Sequence, residues 1–247
     1  MTSAAGLPFH REAKFGGFTD IDGTVTFYLR VQELLTEEAI AVDVGCGRGT
    51  QADDPVRVRR ELRILRGKCK RVIGLDVDPL AGDNPFVDDF RLIGSDQRWP
   101  LADASADVAV ADFVLEHIAD PEIFFNEAAR VLRPGGTICI RSINAWSYVG
   151  LAARFVPNGL HARILRGVQP ERGEHDVFPT AYRCNTVPKL RRALHAHGFE
   201  AVVYGAEAEP AYLKFNSVAY ALGLAHRRLA PSWLRVGLIA WARRRSG

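Results

Sequence analysis

The stretch that decides the fold reads Val42-Asp43-Val44-Gly45-Cys46-Gly47-Arg48-Gly49-Thr50. The mostly apolar run 39–44 leading into it predicts a buried strand, because near-continuous apolar runs are typical of parallel strands covered on both faces. The alternating glycines that follow allow a tight turn and let a ligand approach the main chain without meeting a Cβ. Ligands of open α/β sheets bind at such strand ends. We therefore expect a small-molecule site here.

The spacing of these glycines excludes two common nucleotide-binding loops. A dinucleotide fingerprint, G-x-G-x-x-G, that begins at Gly45 needs a third glycine at position 50, where this chain has threonine. This argues against a nicotinamide-dependent dehydrogenase. A phosphate-binding loop of the Walker type is excluded as well, because no Gly-Lys-Ser/Thr follows the glycines.

Short β-branched runs alternate with helical patterns after this loop. Further strands are predicted at 71–76, 90–93, 107–111, 137–141 and 199–204. Apolar residues at helical spacing predict helices at 24–35, 121–132 and 187–197. Strands that alternate with helices indicate βαβ units. The predicted fold class is therefore α/β, with a doubly wound sheet.

Between residues 43 and 141 the motifs resemble those of class I S-adenosylmethionine-dependent methyltransferases, in the group that includes the quinone-biosynthesis methyltransferases. The glycine loop matches the first motif of this family. Asp76 and Asp96 follow the second and third strands, where the family has its cofactor-contacting acids. Further matching segments lie at 99–110, 115–118 and 130–136. The resemblance implies a Rossmann-like, seven-stranded, mostly parallel sheet with an antiparallel last strand, expected at 233–243 after a helix at 212–229.

The same resemblance implies S-adenosylmethionine as the cofactor. Asp76 would grip the ribose hydroxyls, since a carboxylate accepts two hydrogen bonds from a diol, and Asp96 would contact the adenine amino group. The segment before Asp76 is longer than is usual in the family, which leaves Asp78 as the alternative ribose ligand. Candidates for the methionyl end are Tyr28 and Arg30. The predicted cofactor residues are Asp43, Gly45, Cys46, Gly47, Gly49, Asp76, Val77, Asp96, Gln97, Asp112 and Phe113.

Methyl transfer from a sulfonium is an in-line displacement, in which positioning supplies much of the rate. An acceptor hydroxyl or acidic carbon must also lose a proton, and the ordinary pKa of histidine suits a base. His117 is the first candidate. The alternative is that His117 packs the helix and Glu116 faces the site. The long interval 142–198 is expected to cover the acceptor and to bind it through His175, Tyr182 and Arg183.

The net charge of +3 hides an uneven distribution, because all 29 acidic residues precede residue 210 and seven of the 32 basic residues follow it. Arg227, Arg228 and Arg243–Arg245 are expected to form an exposed edge, suited to an anionic acceptor or to peripheral contact with an anionic membrane. No apolar segment of membrane-spanning or signal-peptide type is found, so the cytoplasm is the expected compartment. The four cysteines lack metal-ligand spacing, so no metal site is expected.

We expect one methyltransferase domain over 1–247. Its parts are an N-terminal helical cap (1–38), a cofactor-binding half (39–141), a substrate-side insertion (142–198) and C-terminal strands with a helix (199–247). The predicted activity is O- or C-methylation of a small molecule, either free or linked to a glycan, lipid or secondary metabolite. The alternatives are a non-catalytic cofactor-binding protein on the same fold and an RNA methyltransferase, of which RNA is the less favoured. DNA is disfavoured, since residues 111–114 lack the Asn-Pro-Pro-aromatic tetrad of amino methyltransferases.

Overall fold

A computed structural model describes residues 6–155 and 180–246, which contain a seven-stranded sheet. The strands are β1 (Ile40–Val44), β2 (Arg71–Asp76), β3 (Asp89–Leu92), β4 (Ala106–Asp112), β5 (Leu132–Ile143), β6 (Phe199–Ala206) and β7 (Gly237–Arg244). Their order across the sheet is β3-β2-β1-β4-β5-β7-β6, and β7 runs antiparallel to both of its neighbours. The predicted Rossmann-like sheet with an antiparallel last strand is confirmed.

The helices of the described ranges are α1 (Gly23–Glu33), α2 (Arg57–Arg63), α3 (Pro121–Val131), α4 (Tyr148–Phe155), α5 (Val187–Ala196) and α6 (Ser217–Leu229). Most begin where the sequence supplies a cap. Side chains that accept hydrogen bonds from first-turn amides belong to Asp22, Asp120, Thr186 and Asn216. The cap at Asn216 explains why α6 starts later than the predicted residue 212. Helix α2 was not predicted, because its seven residues are too few to establish a period.

Two apolar layers cover the sheet. On one face α3 and α5 pack through Phe124, Phe125, Leu190 and Leu194, all of them buried against the strands. On the other face α1 packs through Phe27, whose ring stacks on Trp241 of β7 at 5.1 Å between centroids. Burying strands on both faces is what the near-continuous apolar runs require. The polar ends of the strands are thereby left as the places where a site can form.

Strand β7 separates two groups of arginines. Arg227 ends α6 and donates to the main-chain oxygen of Glu207, just past β6 and beside the start of β7. Arg243–Arg245 lie at the other end of β7, where Arg244 is paired with Phe199. The eight residues of β7 put roughly 25 Å between the groups at about 3.3 Å per residue. The prediction that these arginines form one edge is therefore wrong.

The predicted last strand also begins later than expected. Trp233 belongs to a short 3-10 turn, Ser232–Leu234, and β7 starts at Gly237. None of the helices in the described part of the chain has both the length and the apolar character needed to cross a bilayer.

Candidate functional site

The predicted cofactor residues gather at the edge of the sheet where the parallel strands end. Strand β1 lies between β2 and β4, so the chain leaves β1 at the point where the strand order reverses. In open α/β sheets this switch point is where ligands bind. The loop after β1 carries the glycines of the sequence prediction, and the carboxyl-terminal parts of β1, β2 and β4 carry Asp43, Asp76 and Asp112.

The glycine loop after β1 needs its glycines for two different reasons. Gly45 has a φ of +67°, and a Cβ there would lie 2.5 Å from Cγ2 of Val114, so packing as well as conformation excludes a side chain. Gly47 has a φ of +57°, but a Cβ there would meet nothing within 4 Å. The backbone at Gly47 therefore borders open space, as a ligand cradle requires.

Asp76, at the last position of β2, joins the second strand to this loop. Its Oδ2 accepts a hydrogen bond from the Gly47 amide at 2.9 Å, and its Oδ1 accepts one from the Asp78 amide at 2.9 Å. Each carboxylate oxygen has a second lone pair, so Asp76 can still accept from a diol. Asp78, the alternative ribose ligand, instead pairs with Arg48 at 2.6 Å. This pairing holds the pKa of Asp78 below its usual value.

Asp43 lies within β1 beneath the loop. Burial, together with repulsion from Asp112 and Asp76, raises the pKa of Asp43 to about 7, while the charge of Arg63 opposes the rise. A cationic neighbour would stabilise the ionised form of an acid whose pKa is raised in this way. The position is therefore suited to the cationic part of a ligand.

Asp112 ends β4 and is held in a different way. Its two carboxylate oxygens each accept from Arg141 of β5 at 2.6 Å, and Oδ2 also accepts from the Tyr28 hydroxyl of α1 at 3.0 Å. Burial alone would raise the pKa of Asp112, but the charge and hydrogen bonds of Arg141 hold that pKa below its ordinary value. The guanidinium of Arg141 lies 5.0 Å from the ring centroid of Phe27 and 4.8 Å from that of Phe113.

Of the two residues proposed for the methionyl end, one reaches the site. Tyr28 contacts Asp112 as described, and burial raises the pKa of its phenol, which stays neutral. Arg30 points elsewhere: its guanidinium lies 5.7 Å from the ring centroid of Trp241 on β7. Sequence reasoning missed Arg141 as a partner of the site, although its strand was predicted.

Arg63, the last residue of α2, was also missed. Its Nε is buried and has no hydrogen-bond partner among the described residues. Its charge acts on both Asp43 and Asp112, where it favours the ionised carboxylates. Seven basic residues between positions 51 and 70 were the signal that could have indicated it. An unsatisfied buried donor beside an open cradle is a place for an anionic group.

The residues predicted around the adenosyl group lie along β2 and β3. Val77 follows β2 and is exposed, and Asp96 is exposed beyond β3, where its Oδ1 accepts from the Arg98 amide at 3.1 Å. Gln97 and Phe113 both have a φ of +57°, a strained conformation that tends to cluster at functional sites. Burial raises the pKa of the Cys46 thiol to about 12, so Cys46 is a neutral packing group.

The two catalytic candidates lie in the turn Leu115–His117 after β4. Glu116 is buried, and its Oε2 accepts from the Ser142 hydroxyl at 2.6 Å. Burial raises the pKa of Glu116, while the Ser142 hydrogen bond and a nearby positive charge on His117 act against the rise. Of the two candidates, Glu116 is therefore the buried one, and the half-buried His117 lies close to it.

The segment before α5 closes over this turn. The amides of Ala181 and Tyr182 donate to the main-chain oxygen of Glu116 at 2.7 and 3.2 Å. Burial and the charge of Glu116 raise the pKa of Tyr182 to about 12. Asn185 is fully buried with its side-chain amide 2.6 Å from the Ser142 hydroxyl, a contact that sequence reasoning missed. Arg183 is exposed, and His175 lies outside the described residues.

Comparisons with known proteins support the resemblance that the sequence motifs predict. The family model described as a methyltransferase domain matches residues 42–140. A "Probable S-adenosylmethionine-dependent methyltransferase" from Mycolicibacterium smegmatis is 34% identical over 134 residues, which are 52% of this chain and 47% of that protein. A ubiquinone biosynthesis O-methyltransferase from Sinorhizobium medicae is 28% identical over 146 residues, 55% of this chain and 56% of that one. The chain thus spans about half the length of the curated relatives it matches.

A solved structure extends the likeness to most of the chain. Geranyl diphosphate C-methyltransferase from Streptomyces coelicolor, solved with S-adenosyl-L-homocysteine, superposes with a TM-score of 0.52 and 14% sequence identity. The superposition covers 90% of this chain and 78% of that one. At this identity the likeness shows the fold. With the family match over residues 42–140 it confirms the predicted resemblance to S-adenosylmethionine-dependent methyltransferases.

Proposed function

We propose that this protein transfers a methyl group from S-adenosylmethionine to an oxygen or carbon atom of a small-molecule acceptor. The observation that carries the proposal is the open glycine cradle at Gly47, with Asp43, Asp76 and Asp112 at the ends of three neighbouring strands. Names among the relatives support a small acceptor: one is a ubiquinone biosynthesis O-methyltransferase and another a geranyl diphosphate C-methyltransferase.

The residues present fit this cofactor group by group. The space beside Gly47 takes the body of the ligand, and Asp76 has lone pairs left for the ribose diol. Asp43 suits the cationic groups of the methionyl end, and the unsatisfied Nε of Arg63 suits its carboxylate. Asp96, with Gln97 and Val77, is assigned to the adenine. The remaining predicted residues, Gly45, Gly49, Cys46 and Phe113, shape the loops.

When bound, the cofactor supplies an electrophilic methyl group on a sulfonium. The contribution of the protein is to hold an acceptor in line with that group, and such positioning can be worth roughly 7–11 kcal/mol. Tyr182 and Arg183, with His175, are assigned to the acceptor. The hydrogen bond from the Tyr182 amide to the main-chain oxygen of Glu116 supports this assignment, because it keeps Tyr182 close to Glu116.

Glu116 is the residue to which we assign proton removal from the acceptor. Its carboxyl is buried, and burial raises its pKa above the usual value, which makes the ionised form a stronger base. Ser142 fixes one oxygen of this carboxylate, which orients the group. His117 would then assist through its charge, which reverses the order of the sequence prediction.

Binding is tested by calorimetry with S-adenosylmethionine and S-adenosylhomocysteine. Gly47→Ala is expected to weaken binding at least about tenfold, because a side chain enters the cradle, and to destabilise the fold by about 1–2 kcal/mol. Gly67→Ala is the matched control: Gly67 also has positive φ, +80°, and open space around it. It should show the same loss of stability with unchanged binding. If neither ligand binds the wild type, the proposed function is wrong.

Turnover is tested with a methyl-labelled cofactor over fractionated small-molecule extracts. Glu116→Gln is expected to lower the rate by about 10²–10⁴-fold with cofactor binding retained. His117→Ala should have a smaller effect, and the opposite ranking would return the base role to His117. Cofactor binding without turnover on any fraction would favour a non-catalytic binding protein.

A further inference from the structure

A surface of exposed apolar side chains lies on α4, α6 and the turn after α6. Its members are Trp146, Leu151, Val218, Leu222, Leu229 and Trp233, each at least 40% exposed. Leu229 is 83% exposed and Phe215, just before α6, is 73% exposed. Monomeric proteins seldom leave large apolar groups together in water, so a surface of this kind indicates a binding partner. We use the name apolar face for the six residues from Trp146 to Trp233 given above, without Phe215.

Helix α6 presents its part of this face as one stripe. Residues 218, 222, 225 and 229 follow the spacing of a single helical face, and all four are exposed. On the opposite side Tyr220 and Gly223 are buried against the body of the protein. The stripe is therefore not the core-facing side of the helix, which already has its partner.

One aromatic contact joins α4 to α6, and a second joins the residue Trp146 before α4 to Trp233 after α6. The ring of Trp146, before α4, meets that of Trp233 edge to face at 6.2 Å, and Tyr148 meets His226 of α6 in the same way at 5.3 Å. Trp146, Leu151, Trp233 and Leu234 line a shallow apolar depression between the elements. The tryptophan pair therefore lies beside α4, which itself contacts the helix that carries the stripe.

The charged residues after position 209 are all basic, and one of them, Lys214, pairs with Glu209 at 3.1 Å. The basic residues on the segment are Lys214, Arg227, Arg228 and Arg235, with no acidic residue from 210 onward. The acids just before the segment face inward, since the side chains of Glu207 and Glu209 are 2% and 9% exposed. Apolar side chains with arginines at their border match the interface of an anionic bilayer, where aliphatic groups enter the acyl boundary and cations meet the headgroups. Tryptophan also favours this interface.

The apolar face borders the same edge of the sheet as the candidate site. Trp146 comes three residues after β5, and Trp233 precedes β7, whose first residue pairs with Ile143 at the carboxyl end of β5. Glu116 reaches that end of β5 through Ser142. A surface that the apolar face contacts would therefore lie near the acceptor side of the site.

We infer that the apolar face docks the protein on an anionic membrane surface. Docking goes beyond the proposed methyl transfer and does not depend on it, so it is tested without cofactor. The full chain is mixed with vesicles of equal parts phosphatidylglycerol and phosphatidylcholine, or of phosphatidylcholine alone, and separated by flotation. Wild type is expected to float with the anionic vesicles at low salt and to be released as salt rises.

The decisive variants change α6. Leu222→Glu and Leu229→Glu should each weaken partitioning by at least about tenfold, the effect of withdrawing one buried leucine. Leu29→Glu, on an exposed leucine of α1, is the matched control and should bind as wild type does. Because all three side chains are exposed, the variants should fold normally, which circular dichroism checks. Arg228→Glu should reduce binding to anionic vesicles while leaving the apolar face intact.

Three results would contradict the inference. One is a wild type that stays unbound with both vesicle types at low salt. Another is a dimer, detected by sedimentation velocity, that Leu222→Glu disrupts, because the apolar face would then be covered by a second copy of the chain. A loss of vesicle binding in Leu29→Glu as large as in Leu222→Glu would also count against it.

Discussion

Asp112, at the end of β4, and Glu116, four residues later, are both buried, yet the pKa of the first is lowered and that of the second is raised. Asp112 shares two hydrogen bonds of 2.6 Å with Arg141 and stays ionised despite its burial. Glu116 has the Ser142 hydroxyl at the same distance, and burial raises its pKa. A paired charge is held ionised, whereas a buried carboxyl with a neutral partner keeps a raised pKa and binds a proton more readily.

The difference comes from two consecutive residues of β5. Neighbouring side chains on a strand point to opposite faces of the sheet, so Arg141 serves the α1 face and Ser142 the α5 face. Arg141 contacts Thr24 and Tyr28 of α1, whereas Ser142 contacts Asn185 just before α5. The end of β5 thus supplies a cation that keeps Asp112 ionised on the cofactor side and a neutral hydroxyl for Glu116 on the acceptor side.

The largest expected effect comes from removing the counter-ion of Asp112. Arg141→Met should lower the free energy of unfolding by about 3–5 kcal/mol, because it leaves the Asp112 carboxylate buried without its counter-ion. Chemical denaturation of the ligand-free protein measures this. The control is Arg133→Met, which breaks a more exposed ion pair between the same two strands, to Asp107 at 2.7 Å. It should cost less than about 1 kcal/mol. Equal losses in the two variants would contradict the comparison.

A smaller effect is expected from removing the hydroxyl that donates to Glu116. Ser142→Ala removes the hydrogen bond that favours the ionised form, so the pKa of Glu116 should rise further. Carbon-detected NMR of the glutamate carboxyls follows the titration directly. Ser147→Ala is the control, because the buried Ser147 hydroxyl donates to the Asn144 carbonyl at 2.7 Å. It should leave the titration unchanged, and a shift of the same size there would refute the assignment.

The smallest effect concerns Asp43. Burial raises its pKa, as it does for Glu116, and a nearby arginine, Arg63, opposes the rise, as Arg141 does for Asp112. The Asp43 pKa of about 7 means that the folded protein holds a proton that the unfolded chain has released. Asp43 therefore lowers stability as pH rises from about 4 to about 7, and the loss is complete above that range. A cationic ligand favours the ionised form, so affinity for S-adenosylmethionine should rise up to about tenfold between about pH 6 and about pH 8.

Calorimetry across this pH range tests the prediction for Asp43. Asp43→Asn should abolish the pH dependence and should stabilise the ligand-free protein at neutral pH. A pH dependence that persists in this variant would assign the titration to another group.

Local sequence was sufficient for the strands and for the loop they position. The apolar run before Gly45 and the glycines after it predicted both β1 and its turn, since both depend on neighbours in the chain. The contacts that distinguish Asp112 from Glu116 could not be predicted in this way. They join residues 29 and 26 positions apart, and they depend on which face of β5 each side chain occupies.

Helix α2 and Arg63 illustrate the same limit. The charge of their segment was visible, but its use depends on how α2 packs over Asp43 and Asp112. The arginines near the C-terminus show the reverse case. They are close in sequence, and an antiparallel strand carries them to opposite ends of the sheet.

The position of β7 between β5 and β6 also sets an order of events during synthesis. Strand β6 emerges from the ribosome before β7, but its backbone hydrogen bonds in the sheet are all made to β7. Until β7 has been made, β5 has an unpaired edge and β6 has no place in the sheet. Exposed strand edges of this kind invite aggregation. A nascent chain halted between the two strands should therefore depend on a chaperone until translation resumes.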